Sequence, residues 1–269
     1  MTRSELLQAS KVPAVTLGFW IIKILATTLG ETGGDTVSMS WLGETTPQAG
    51  QGGLNGYLVG TAIFGVLLIG LVWAQIRAKS YNPWLYWATI LASTTAGTTL
   101  ADFATRSIGI GYTGGSLLLF GLVVASLVTW KASLCTIDVN TVSTPRAEMF
   151  YWLTITFSQT LGTALGDWAA DTGGFGYLGG AALFGGLLAV LAALYYWSKI
   201  SHVLLFWAAF ILTRPLGATV GDFLDKPIAK GGLDLSRPVA TAVLAAAIVV
   251  LILVIPQRAG SHPGTVESH

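Results

Sequence analysis

Charge is what this chain has least of. Only 10% of its 269 residues are Asp, Glu, Lys or Arg, while 53% are hydrophobic. A water-soluble domain carries about 25% charged residues. So few charges cannot clothe a fold for water, which points to the lipid bilayer as solvent. A net charge of +1 offers nothing to a nucleic acid. The single cysteine, Cys135, excludes an internal disulfide. It falls near a predicted cytoplasmic loop, where a thiol stays reduced. Histidine is confined to His202, His262 and His269, the last two in the tail, which argues against a His-ligated haem or zinc site. There is no GxxxxGK[ST] phosphate loop, no paired-Cys or HExxH metal pattern and no serine hydrolase signature. The opening MTRSELLQASKVP lacks the apolar core and small-residue cleavage site of a signal peptide. The polar stretch 257–269 is expected to be a disordered tail.

What the chain does have is long apolar runs, and its mean hydropathy is +0.67. A helix needs roughly 20 apolar residues to cross the hydrocarbon. Eight stretches qualify, at about 13–36, 55–76, 84–106, 112–133, 149–170, 176–198, 203–224 and 238–255. No stretch alternates as a barrel strand does. The expected fold is therefore all-α, a polytopic membrane bundle of eight transmembrane helices. With a cytoplasmic N-terminus, Arg3, Lys11, Arg77, Lys79, Lys131, Arg146, Lys199 and Arg258 fall inside. Arg106, Lys226, Lys230 and Arg237 fall outside. That surplus of inner basic residues places both termini in the cytoplasm. Trp41, Trp73, Trp84, Trp130 and Trp197, near span ends, are expected in interfacial belts.

The chain also repeats itself. LATTLGETGGD (25–35), ASTTAGTTLAD (92–102), FSQTLGTALGD (157–167) and LTRPLGATVGD (212–222) align, with a glycine five residues before an aspartate in each. The pairs are Gly30/Asp35, Gly97/Asp102, Gly162/Asp167 and Gly217/Asp222, and the residue before each Asp is small. The intervening helices repeat a second element, GYLVG, GYTGG and GYLGG, which the last copy lacks. Two spans separate successive motifs, so the four motif helices cross in the same direction. The chain reads as one transmembrane domain over 1–256, built from parallel two-helix repeats at about 13–80, 81–147, 148–200 and 201–256. Packed around an axis along the membrane normal, such repeats bring four aspartates to one depth.

A carboxylate within a span is costly and normally marks an ion or proton path. Asp is a hard oxygen ligand for Mg, Ca or Mn. Asp35, Asp102, Asp167 and Asp222, with Glu31 assisting, are thus the candidate metal ligands. Lys23 and Arg214 fall inside spans, where they could pair with these carboxylates and compete with an ion. Asp171 adds a further charge to the third copy. These three residues are the candidates for coupling or charge pairing. Pro215 is expected to bend the seventh helix, and the glycines could let helices unwind locally. Two plainer readings compete. Regularly spaced small residues are a common packing device in membranes, and an Asp late in its span can cap the following turn.

The repeated T-x-x-G-x-x-x-x-D helices resemble a bacterial family of uncharacterised membrane-anchored proteins with the same four-repeat layout. The resemblance covers most of the chain and implies a multi-pass inner-membrane protein. Locally, ETGGD followed by Thr36 is similar to the E-x-G-D-[KR]-[TS] motif of manganese and calcium cation/proton exchangers. An extra glycine intervenes, the basic residue is missing, and that family carries its motif on inverted repeats, so the similarity is an analogy of chemistry.

These features point to a transporter of a divalent metal cation, manganese among the candidates, with or without proton coupling. The alternative is a non-transporting scaffold or sensor whose aspartates lock the bundle. An intramembrane enzyme acting on a lipid or quinone ranks last, since no nucleophile or electrophile can be named. The expected partners are the bilayer and the metal ion, with no cofactor. Oligomeric state is left open.

Overall fold

Four of the helices start where the sequence supplies a cap. The computed structural model describes residues 10–44 and 55–260. Thr16 accepts a hydrogen bond from the Phe19 N–H to open α1 (Leu17–Asp35). Asn55 does the same for α2 (Gly56–Arg77), Asn82 for α3 (Pro83–Asp102) and Thr144 for α5 (Pro145–Asp167). Each satisfies an N–H that the first turn leaves open. Pro83 and Pro145 sit in first turns, where no helical hydrogen bond is lost. Helices α4 (Gly111–Leu134) and α6 (Gly176–Trp197) open on the glycine of the repeated GY element, at φ 71° and 65°. Those left-handed values explain why glycine recurs there. Helices α7 (His202–Asp225) and α8 (Arg237–Val254) complete the set. Among the described residues there is no strand, and the all-helical expectation matches what is observed.

Helices α1, α3, α5 and α7 form a closed ring, each packed on the next, with α7 returning to α1. The even helices lie outside it: α2 on α3, α4 on α5, α6 on α7 and α8 on α1. The packing unit is therefore an even helix plus the odd helix that follows it. It is one helix out of step with the sequence repeat, and α8 on α1 closes the circle. Apolar residues such as Val66, Leu117, Leu178 and Val243 are exposed on the outer helices. An exposed apolar belt of this extent suits lipid rather than water.

Five helices, α2, α4, α6, α7 and α8, are long and apolar enough to cross a membrane by length and composition. The other three, α1, α3 and α5, are ring helices rich in buried Thr, Ser, Gln and carboxylate side chains. Their polar side chains are buried within the ring. Helix α7 runs unbroken through Pro215.

Residues 257–260, expected to begin a disordered tail, are instead tied to the segment before α1. Ala14 N–H donates to Arg258 O at 2.9 Å, and Gly260 N–H to Val12 O at 2.8 Å. Residues 1–9, 45–54 and 261–269 lie outside the described residues, among them Arg3, His262 and the rest of the expected tail. Both described ends thus sit at one end of the bundle. Trp41, Trp73, Trp84 and Trp197 are exposed, but Trp130 is fully buried, packed edge-on against Tyr151 and Trp207. Its place is the core rather than an interfacial belt.

Candidate functional site in the helix ring

The motif glycines close the ring. Each faces a residue that lies three positions before the glycine of the next ring helix. Gly30 faces Thr94, Gly97 faces Gln159, Gly162 faces Arg214, and Gly217 faces Thr27. A Cβ at Gly97 would stand 2.9 Å from the backbone carbon of Gln159, and one at Gly217 would stand 2.7 Å from that of Thr27. A second set lies one turn on. Gly34, Gly166 and Gly221 face Thr98, Ala218 and Glu31, each one residue past the next helix's glycine. The glycines therefore let backbones approach, the ordinary use of small residues between membrane helices. The helices do not unwind at them. The change comes just after the aspartates, where α1, α3 and α5 pass into π-helical turns at Thr36–Trp41, Phe103–Ser107 and Trp168–Thr172.

Asp35, Asp102, Asp167 and Asp222 are all buried. Asp35, Asp102 and Asp167 make no capping bond to the turns that follow them. They pair across the ring instead. Arg106 joins Asp102 (3.0 Å) on its own helix to Asp167 (3.2 Å) on α5. Lys226 joins Asp222 (3.0 Å) at the end of α7 to Asp35 on α1, with Asp225 at 3.8 Å. Arg237 reaches Asp225 at 3.5 Å. Each of the two bridging cations thus ties neighbouring ring helices together.

One oxygen each from Glu31, Asp35 and Asp222 lies within 4.8 Å of the others. Three of the five expected ligands therefore converge at metal-ligating separation, while Asp102 and Asp167 form a separate pair around Arg106. Asp171 is exposed and joins no ion pair among the described residues, so its expected coupling role finds no partner.

One layer deeper, Arg214 lies on the ring axis. Its guanidinium donates to Glu31 Oε2 at 3.0 Å, to Thr98 Oγ1 at 2.6 Å and to Thr163 Oγ1 at 2.5 Å. It thereby touches all three other ring helices. Ala218, the matching residue on its own helix, leaves it room. Lys23 does not make the expected pairing with a carboxylate. Its Nζ lies 4.1 Å from the centre of the Phe210 ring and has no hydrogen-bond partner. The reason is depth: Lys23 precedes Asp35 by three helical turns, roughly 18 Å of rise, beyond a lysine's reach.

Above the aspartates a cavity of about 600 Å³ opens outward, lined by Arg106, Lys226, Lys230, Arg237, Asp225 and Asp234 among others. All four basic residues assigned to the outer face by charge counting line this vestibule. Three of them are bound to aspartates at its floor. The opposite end of the ring carries a layer of aromatics. Phe19, Tyr86, Tyr151 and Phe206 are buried, each eleven residues before a motif glycine, and each is followed by a tryptophan. Tyr86 and Tyr151 share a hydrogen bond of 2.6 Å.

Sequence reasoning missed Lys226 and this aromatic layer. Both had a signal. Lys226 follows Asp222 by the same four residues that separate Arg106 from Asp102, which puts both on the aspartate's helical face. The aromatic–Trp dipeptides FW, YW, YW and FW recur in register with the glycines.

A family model described as Repeat of Unknown Function (DUF347) matches residues 18–81, 85–134, 150–201 and 205–258. No curated protein and no solved structure matches the chain.

Proposed function

The chain belongs to the DUF347 repeat family, and from that premise and the buried carboxylate ring we propose that it transports a divalent metal cation across the bacterial inner membrane. All eight helices span in this reading, both termini are cytoplasmic, and the vestibule faces outward. It is not an enzyme. Manganese is one candidate cargo.

The observation that carries the proposal is the charge balance at the vestibule floor. Among the described residues, Asp35, Asp102, Asp167, Asp222 and Asp225 form ion pairs only with Arg106, Lys226 and Arg237. Two negative charges are left over, which one divalent cation or two protons would balance. Lys226 occupies the place a cation would take between Asp35 and Asp222, and it lines the open vestibule. Swinging its flexible arm outward frees those two carboxylates, with Glu31 beside them. A hard cation completes its shell with backbone carbonyls and water. Each carboxylate about 4 Å from a divalent ion contributes about 8 kcal/mol at an effective dielectric constant of 20, twice what the unit charge of Lys226 gives at that distance. That is enough to offset the loss of Lys226. Below the site the axis is occupied by the Arg214 side chain and then by the aromatic layer, which supports reading the vestibule as the entrance.

The test is manganese uptake into proteoliposomes by Asp35→Asn and Asp222→Asn, with Asp171→Asn as control. The proposal expects uptake to fall to background in the first two and to persist in the third. Full uptake by both ring variants, at matched protein levels, contradicts it. The scaffold reading expects these variants to lose thermal stability with no dependence on metal.

A further inference from the structure

One layer of the ring is polar and unsatisfied. Between Arg214 and the aromatic end lie the Nζ of Lys23, both amide atoms of Gln159 and the Oγ1 of Thr94. None of them has a hydrogen-bond partner, and Lys23, Gln159 and Thr94 are all 0% exposed.

Register indicates where these groups point. Gln159 holds on α5 the place that Arg214 holds on α7, three residues before the motif glycine. Its Cβ packs 3.1 Å from the position of a Cβ on Gly97, as the stem of Arg214 packs on Gly162. The head of Arg214 lies on the axis, so the matched geometry directs the Gln159 amide there too. Thr94 holds the same place on α3, and its carbonyl accepts from Arg214 Nη2 at 3.5 Å. Lys23 enters one turn below, in a layer whose matched residues are Ile90, Ile155 and Phe210. Those residues offer no acceptor. Glu31, the nearest carboxylate along α1, is already bound to Arg214.

The result is a buried lysine whose Nζ lies 4.1 Å from the centre of the Phe210 ring with no carboxylate paired to it, in a layer that also holds an amide and a hydroxyl able to donate. Leaving such groups unmet inside a membrane is costly. We propose that this layer binds one small monovalent anion of the chloride class, held by Lys23 Nζ, Gln159 Nε2 and Thr94 Oγ1, with the Arg214 charge above it. The anion's single charge balances Lys23. The site lies on the far side of Arg214 from the aspartates and does not depend on the cation reading.

The test uses the full chain in nanodiscs, melted in sodium chloride or bromide against sodium gluconate at equal ionic strength, without added metal. Halide should raise Tm saturably by several degrees, as a ligand binding only the folded state does. Lys23→Met and, separately, Gln159→Leu should lose the halide dependence whatever their basal Tm. In a bromide-soaked crystal, an anomalous peak should lie within hydrogen-bonding distance of Lys23 Nζ. Equal melting in halide and gluconate overturns the proposal. So does a halide effect that survives in Lys23→Met, or a layer holding only water.

Discussion

Replacing Gly217 by alanine adds one methyl group where α7 crosses α1. That methyl would stand 2.2 Å from Thr27 Oγ1, 2.6 Å from its Cβ and 2.7 Å from its backbone carbon, against 3.4 Å for ordinary contact. The helices would have to part by about 0.7 Å, the difference between the last two distances. A flexible side-chain tip could yield cheaply, but a helix backbone cannot. Overpacking of this kind costs about 1–3 kcal/mol, and the backbone contact puts Gly217→Ala at the upper end. Gly185, on outer helix α6, has nothing within 4 Å of its Cβ position. There the same substitution should stabilise by roughly 0.5–1 kcal/mol, through the entropy that glycine gives up in a helix. Thermal unfolding in detergent, followed by intrinsic tryptophan fluorescence, separates the two cases. Adding Thr27→Ala to Gly217→Ala removes the hydroxyl clash but not the backbone one, so it should restore only part of the loss. A Gly217→Ala protein as stable as wild type would refute the ring packing derived from the repeat glycines.

Three further outcomes follow from the same geometry. Arg214→Met strands Glu31 as a buried, unpaired charge and should cost about 3–5 kcal/mol in the same unfolding assay. Adding Glu31→Gln should recover much of it. Tyr86→Phe leaves the Tyr151 hydroxyl buried without its partner and should cost about 1–3 kcal/mol, while the double change to phenylalanine should lie near neutral. Repeats one and four already carry Phe19 and Phe206 at those places. Asp171→Asn touches no ion pair and should stay within about 0.5 kcal/mol of wild type.

How far the sequence could be read depended on which property was periodic. The fourfold build was legible because Gly30, Gly97, Gly162 and Gly217 recur at matched places. Each packs against the residue three places before the glycine of the next ring helix, too close for a side chain of its own. The depth of the aspartates was less legible. Their late position allowed a capping role, and only the cross-ring pairs to Arg106 and Lys226 distinguish a buried carboxylate from a cap. The offset between sequence repeat and packing unit was invisible, because nothing local records that α8 returns to α1. Lys23 misled for a related reason. A charge in a span suggests pairing with the nearest recurrent carboxylate, but helical rise separates the two by three turns. Lys226 was hidden by its loop context, where the positive-inside rule counts it simply as an outer charge.

The central claim is that Lys226 stands where the transported cation binds. Manganese affinity of the purified protein, measured from the electron paramagnetic resonance signal of free Mn²⁺, tests it most directly. Lys226→Gln removes the resident competitor while leaving Glu31, Asp35 and Asp222 in place. Affinity should rise by roughly tenfold or more, the equivalent of about 1.4 kcal/mol, with Lys226→Arg staying close to wild type. Unchanged or weaker manganese binding in a folded Lys226→Gln protein would contradict the account.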